Sequence, residues 1–453
     1  MYRLLLCSRY LTTRPIGLVS VVSVMLGVAT LIIVNSVMLG FQTQLRSRLH
    51  GILSDVMVEA PDLNGFTDAD AVMEQIRQTA GDRIKAMTPV MEVPGLLQFD
   101  VDGATRMMDV IIVGVDPVGR SNVGDFARHL QSEKNRANPS FEIPPDAFEW
   151  RRSHREMLVN NDPDQPEAAP AFVGWQMAFH RMKKMDGGVE ERELLPRGSE
   201  FFLSTMAVNT ARKQPQFPTG RFLVADHFRC DMSEYDAKFV FVPIAELQKL
   251  RTADNPPRVT SIQIRLNDFA DSPAVVADLQ RIFQPYSLYV TTWEDRQAIL
   301  LQAVKVERWM LNFILFFIVA VAGFGILAIF FMIVVEKTKD IGILKALGAS
   351  DGGVMGVFLS YALVLGIIGC ALGAALGVWF TLNINPIERW LTYWTGVEIF
   401  PRNIYYFKEI PTQLDTAVVV WTNILALAIA VAASVMPARR AARLRPVEAL
   451  RYE

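Results

Sequence analysis

Four stretches of this chain are long, apolar and free of charge: about Ile16 to Phe41, Met310 to Val335, Val354 to Leu382 and Ala417 to Met436. A helix needs about 20 such residues to cross the hydrocarbon of a bilayer. Buried helices of water-soluble domains are usually shorter and keep a polar stripe. The chain is therefore expected to cross a membrane four times. The first stretch reads as an uncleaved anchor. Its apolar core exceeds the about 7–15 residues of a signal peptide, and Gln42, Thr43 and Gln44 follow it in place of a small-residue cleavage site.

Orientation follows the basic residues of short loops and tails. Arg3, Arg9 and Arg14 precede the first span; Lys337, Lys339 and Lys345 lie between the second and third; Arg439, Arg440, Arg443, Arg445 and Arg451 follow the fourth. With four spans, all three groups share one side, which is expected to be the cytoplasm. In the loop of about Asn383 to Thr416, Arg389, Arg402 and Lys408 are balanced by Glu388, Glu398, Glu409 and Asp415. Trp309, Trp379, Trp390, Tyr393, Trp394 and Trp421 cluster near span ends, as interfacial residues do. Trp390 and Trp394 are four apart, which suggests a helix lying at the outer surface.

About Gln42 to Val306 is far too long for a loop and is expected to fold on the outer side. Asp68 to Ala80 reads as a helix, with Gly81 as its stop, and Ala274 to Phe283 as another. Asp109–Val115, Phe239–Val242, the alternating Val259–Leu266 and a segment with Leu288 and Val290 read as strands. This is an α+β domain. Arg128 to Ala171 is rich in Pro, Asn, Arg and acids and is expected to be a solvated insertion.

No catalytic constellation emerges. The chain lacks a phosphate loop ending in Gly-Lys-Ser/Thr and a Gly-x-Ser-x-Gly elbow. Its five histidines are scattered, and His227 with Cys230 is two ligands short of a metal site. Cys7, Cys230 and Cys370 fall in different compartments of this topology, so no disulfide is expected within the chain. A net charge of −2 gives no general attraction for nucleic acid.

Two patterns concern packing and contact. Gly369, Gly373 and Gly377 recur every four residues in the third span, with Gly366 three before; Ser23 and Gly27 bear the same relation in the first. Such stripes let helix backbones approach closely. The segment Glu336–Ser350 reads as a short helix with Ile341, Leu344 and Leu347 on its apolar edge, Lys339, Asp340 and Lys345 beside it, and Gly348 as the stop. Two readings stand. It lies on the membrane, or it docks in a protein groove; its lack of large aromatics favours a groove.

The run Glu336-Lys-Thr-Lys-Asp-Ile-Gly-Ile-Leu-Lys-Ala-Leu-Gly-Ala-Ser350 resembles the coupling helix of FtsX/MacB-type ABC permeases. The tail Met436-Pro-Ala-Arg-Arg-Ala-Ala-Arg-Leu-Arg-Pro-Val-Glu-Ala-Leu-Arg-Tyr-Glu453 resembles their C-terminus. Within that family the nearest resemblance is to lipoprotein-releasing (LolC/LolE-like) permeases. It rests on Ile112-Val-Gly-Val-Asp-Pro117, Met232-Ser-Glu-Tyr-Asp-Ala-Lys-Phe-Val-Phe-Val-Pro243 and Tyr405-Tyr-Phe-Lys-Glu-Ile-Pro411. The Arg128–Ala171 insertion and Ala171-Phe-Val-Gly-Trp-Gln-Met-Ala178 depart from the family pattern.

The resemblance implies a bacterial inner-membrane permease with both termini cytoplasmic. Its parts would be an N-terminal tail (1–15), a first span (16–41) and a MacB-like periplasmic domain (42–306, insertion 128–171). An FtsX-like permease domain (307–446; spans 310–335, 354–382 and 417–436, coupling helix 337–348) and a C-terminal tail (447–453) would follow. It implies no enzyme activity and no cofactor on this chain, ATP and Mg being held by a separate cytosolic ATPase. That ATPase would dock on Glu336, Lys337, Lys339, Asp340, Ile341, Leu344, Lys345, Leu347 and Gly348. Further implied partners are a second permease chain, identical or paralogous, membrane lipids, lipoprotein cargo and a periplasmic carrier. The push would travel through the second span and Trp293–Trp309 to lift cargo from the outer leaflet. Met38, Phe313, Phe316, Phe317 and Phe324 either line that path or simply face lipid. The alternatives are a MacB-like exporter of small molecules or peptides and an FtsX-like signalling permease without cargo.

Overall fold

The computed structural model describes residues 16–101, 103–157, 167–183, 189–209, 214–251, 256–396 and 409–446. The expectations for Cys7, the basic residues before position 15, Arg402, Lys408 and the tail 447–453 lie outside these. Two compact units form: residues 46–299, and the segments on either side of them.

The flanking segments supply four helices long and apolar enough to cross a membrane: Ile16–Ile52, Ala298–Glu336, Asp351–Leu382 and Thr416–Ala442. The first, second and fourth outrun the apolar stretches that announce them, because helix geometry continues through Gln42–Ile52, Ala298–Trp309 and Pro437–Ala442. The second helix has 39 residues, about 58 Å at 1.5 Å per residue, nearly twice the hydrocarbon thickness. Their shared interior holds Val24, Val28, Ile32, Phe330, Tyr361 and Leu365.

The main sheet of the 46–299 unit has nine strands: β1 (Val56–Glu59), β2 (Ile84–Val101), β3 (Ala104–Val115), β4 (Ala169–Gly174), β5 (Glu200–Thr205), β6 (Thr219–Phe228), β7 (Phe239–Pro243), β8 (Ser261–Leu266) and β9 (Tyr289–Thr292). They run in the order β9-β1-β8-β2-β3-β7-β4-β6-β5, and β5 pairs again with β2. Six strands thus close into a barrel, while β9, β1 and β8 extend an open sheet from the other half of β2. The 18-residue β2 serves both: Ile84–Val90 pairs with β8, and Met91–Val101 pairs with β3. The handover falls at Val90-Met91, and β5 joins β2 from Gly95. A Cβ on Gly95 would lie 2.7 Å from Ser204 O, so only glycine lets β5 come this close.

Each half has its own core. Helices Ala69–Ala80 and Ser272–Phe283 cover the open sheet, burying Ile76, Leu279 and Phe283 against Val58, Ile262 and Ile264. The barrel is filled by Val93, Leu97, Ile112, Val173, Leu203 and Val224, among others. The alternation read in β8 is only half its story. Ser261 and Gln263 on its other face are also buried.

The insertion is a correction. The described part of 128–171 is anchored to the barrel through particular residues, although many others in it stay exposed. Helix Pro145–Ser153 buries Ala147 and Arg151, and Arg151 pairs with Glu200 at 2.8 Å. Asn135 Nδ2 and the Ser132 N–H donate to Asp226, and Phe141 stacks on Phe172 at 4.4 Å. Few apolar residues suffice here because the polar ones are satisfied by the barrel wall.

Candidate functional site

The short helix between the second and third spans is Thr338–Ala346. Lys337 leaves helical geometry while its N–H still reaches Ile333 O at 3.0 Å, so the helix is jointed directly to the second span. It ends in a reciprocal cap. Gly348, at φ +95°, donates to Lys345 O, and Ala349 donates to Leu344 O, both at 3.0 Å. Ser350 then accepts from Gly353 N–H at 3.2 Å and starts the third span.

Its expected apolar edge divides. Ile341 is 2% exposed and packs with Val334, Val354, Phe358, Ala438 and Ala441; Leu344 is half-buried; Leu347 is 80% exposed. Steps of three residues retreat 60° each on a helix, so Ile341 and Leu347 stand about 120° apart. The outward apolar pair is Leu347 with Ile343, which is 50% exposed. Sequence reading missed Ile343 because it sits between the three positions counted as the edge.

Lys345 also turns inward. Its ammonium donates to Ala442 O and, at 2.9 Å, to Leu444 O, and it pairs with Asp351 at 2.9 Å. It thereby caps the C-terminus of the fourth span, where the helix dipole is negative. Lys337 pairs with Asp340 at 2.9 Å, and Glu336 and Lys339 are exposed. Among the charged residues read as docking groups, Lys345 has a structural occupation inside the bundle.

The glycines of the third span lie against the first. A Cβ on Gly369 would fall 2.8 Å from Val24 Cβ, one on Gly373 2.7 Å from Met25 O, and one on Gly377 3.1 Å from Ile32 Cβ. Gly366 instead faces Leu427 of the fourth span. Ser23 is the nearest atom set to Gly325, and Gly27 lines a small gap with Gly323. Those two residues face the second span, so the small-residue positions of the first helix are not the surface on which the glycines of the third span lie. Gly40 abuts the Pro411–Thr412 backbone, and Gln413 N–H donates to Ser36 O at 3.0 Å. Arg308 donates to Gln42 Oε1 at 3.2 Å, tying the second helix to the first.

The second span buries Leu315, Val319, Ile326, Phe330 and Val334. Phe313, Phe316, Phe317 and Phe324 occupy the opposite arc with Trp309, and all are exposed. Trp309 stacks on Phe313 at 5.7 Å, and Phe313 meets Phe317 edge-on at 4.9 Å. Met38 is half-buried on the first span.

His227 and Cys230 are core residues of the 46–299 unit. His227 bonds Leu195 O at 2.9 Å, and burial pulls its pKa down. The Cys230 thiol donates to Asp236 at 3.0 Å; burial pushes the thiol up, and burial pushes Asp236 up to about 6. Among the described residues no group of three or more His, Cys, Asp or Glu is placed to hold a metal.

Residues 312–446 match the family described as FtsX-like permease C-terminal. The chain is 28% identical to the lipoprotein-releasing system transmembrane protein LolC of Xylella fastidiosa over 439 residues, 97% of this chain and 94% of that one. It is 23% identical to LolE of Haemophilus influenzae over 440 residues, 95% of this chain and 93% of that one. The macrolide export ATP-binding/permease protein MacB of Bdellovibrio bacteriovorus matches at 30% over 205 residues, 43% of this chain and 28% of that one. Residues 312–446 are thus an FtsX-like permease domain, set in a multi-pass membrane chain that resembles the lipoprotein-releasing permeases over 97% of its length.

Proposed function

We propose that this chain is the permease subunit of an inner-membrane ABC transporter that releases lipoproteins from the outer leaflet, driven by a separate cytosolic ATPase. The cargo class rests on the near-full-length likeness to LolC and LolE. The likeness to MacB spans only 28% of that protein and supports small-molecule export less.

The observation that carries the coupling is the division of the Thr338–Ala346 helix. One side is bolted to the bundle by Ile341 and Lys345; the other presents Ile343 and Leu347. A partner pressing on that outer side moves a jointed rod, not a loose loop. The rod is the 39-residue second helix, and Arg308 ties its outer extension to the first helix. The work is lipid extraction. Withdrawing an acyl chain costs about 0.8 kcal/mol per CH₂, on the order of 12 kcal/mol for a long chain. The exposed aromatic arc of Phe313, Phe317 and Phe324 offers such a chain an apolar track.

The test is reconstitution in liposomes with the cognate ATPase, an acylated lipoprotein and a soluble acceptor. ATP-dependent release is expected with the wild-type chain. The Ile343→Asp, Leu347→Asp variant should insert normally, lose the ATPase on copurification and release nothing. Equal ATPase retention by both would sink the coupling assignment; ATP turnover without lipoprotein release would sink the cargo assignment.

A further inference from the structure

A cavity of about 350 Å³ opens in the 46–299 unit beside the barrel. Ile52 and Leu53 from the end of the first long helix, Ile111 and Val113 of β3, and Phe239 and Phe241 of β7 make its apolar wall. That volume lies at the small end of ligand pockets, about 300–1,000 Å³.

One charged group in the wall lacks a full set of partners. Arg120, on the helix Pro117–Val123, is 5% exposed. Its Nη2 donates to Ile52 O at 2.8 Å, but its buried Nε and Nη1 have no hydrogen-bond partner among the described residues. The other arginine of the wall is different. Arg296 pairs with Glu92 at 2.5 Å and Glu59 at 3.2 Å. Glu92, the carboxylate whose charge most favours the Arg120 cation, is therefore already committed. Desolvation lowers Arg120 to about 10, which still leaves it charged at neutral pH. Glu234 and Lys238 stand at the exposed rim with opposite charges. A buried guanidinium with open N–H groups is costly unless an anion or water answers them, and its planar donors match a carboxylate.

We propose that this cavity binds a small monocarboxylate with an apolar body, the carboxylate on Arg120 and the hydrocarbon or aromatic part against Ile111, Phe239 and Phe241. The site is independent of the transport reading. It draws on chain segments adjoining both of the first two long helices, Ile52–Leu53 before β1 and Arg296–Gln297 before Ala298.

The experiment uses the full chain in lipid nanodiscs with hexanoate as probe, and hexan-1-ol and inorganic phosphate as controls. Ligand-observed saturation-transfer NMR and the unfolding temperature are the readouts. Hexanoate is expected to show saturable transfer and to raise the unfolding temperature by several degrees at saturation, as ligand linkage requires; neither control should do so. Arg120→Gln should weaken hexanoate at least tenfold. Ile111→Trp fills the cavity and leaves Arg120 in place; it should abolish binding, and it keeps the question open to test if the arginine variant misfolds. Equal responses to hexanoate and hexan-1-ol, equal responses to hexanoate and phosphate, or an undiminished response in Ile111→Trp would each overturn the proposal.

Discussion

The third span is bracketed by two short helices of opposite character. The one before it, Thr338–Ala346, buries Thr338, Ile341 and Gly342 and is pinned by Lys345 to the end of the fourth span. The one after it, Ile384–Thr395, buries nothing and turns Trp390, Tyr393 and Trp394 outward. Among the described residues Asn385 fastens that helix, the outer one in the expected orientation, to neighbouring chain, exchanging bonds with Ile410 N–H at 2.8 Å and Ile410 O at 3.3 Å. The two ends of one span are therefore built for different neighbours. A helix without large aromatics, anchored through its core face, lacks the residues that favour the lipid headgroup boundary. A helix of tryptophans with a free apolar face suits the lipid headgroup boundary.

Breaking the anchored helix should have the largest effect. Ile341→Asp places a carboxylate among Val334, Val354, Phe358 and Ala438, an unpaired buried charge costing about 4 kcal/mol or more. Size-exclusion profiles of the solubilised chain should show aggregation, while Leu347→Asp, on the exposed side, should remain monodisperse. Lys345→Met comes next. Losing charge-assisted bonds to two C-terminal carbonyls costs roughly 1.5–3 kcal/mol, and hydrogen exchange should quicken at residues 441–446 while the outer helix is unchanged. Gly373→Val tests the span between them. Its new Cβ would press on Met25 O and Val28, for about 1–3 kcal/mol of overpacking, read as a lower unfolding temperature in nanodiscs. The smallest effect belongs to the outer helix. Trp390→Ala with Trp394→Ala should change stability by less than about 0.5 kcal/mol, yet remove much of the fluorescence quenching by brominated outer-leaflet lipid. Quenching that persists undiminished would place this helix against protein and dissolve the contrast.

What could be read in the sequence tracks how local the cause is. The spans declare themselves because each needs a charge-free run, and Gly369, Gly373 and Gly377 mark the close face because four-residue spacing is a property of the helix itself. The cap at Gly348 is equally local. The inward turn of Lys345 was hidden, since its acceptors lie about a hundred positions away at Ala442 and Leu444. The packed state of Pro145–Ser153 was hidden for the same reason: Arg151 reads as a surface residue until Glu200 is beside it. Only β3, β7, β8 and β9 were visible in pattern; β2 and β5 were not read, and barrel closure depends on β5 returning to β2, a pairing that no alternation within either strand encodes. Arg120, just after β3, was not singled out, because its burial comes from segments distant in the chain.

The sharing of β2 sets a rule for anyone cutting this protein into pieces. Because Ile84–Val90 and Met91–Val101 are successive halves of one strand, no excision point separates the barrel from the open sheet without severing hydrogen-bonded backbone in both. A one-residue slip in either half would also swap inward and outward side chains in the other. Insertions should be tolerated only outside Ile84–Val101. The two halves must then be inherited, expressed and unfolded as a single piece, whatever separate duties their surfaces have taken on.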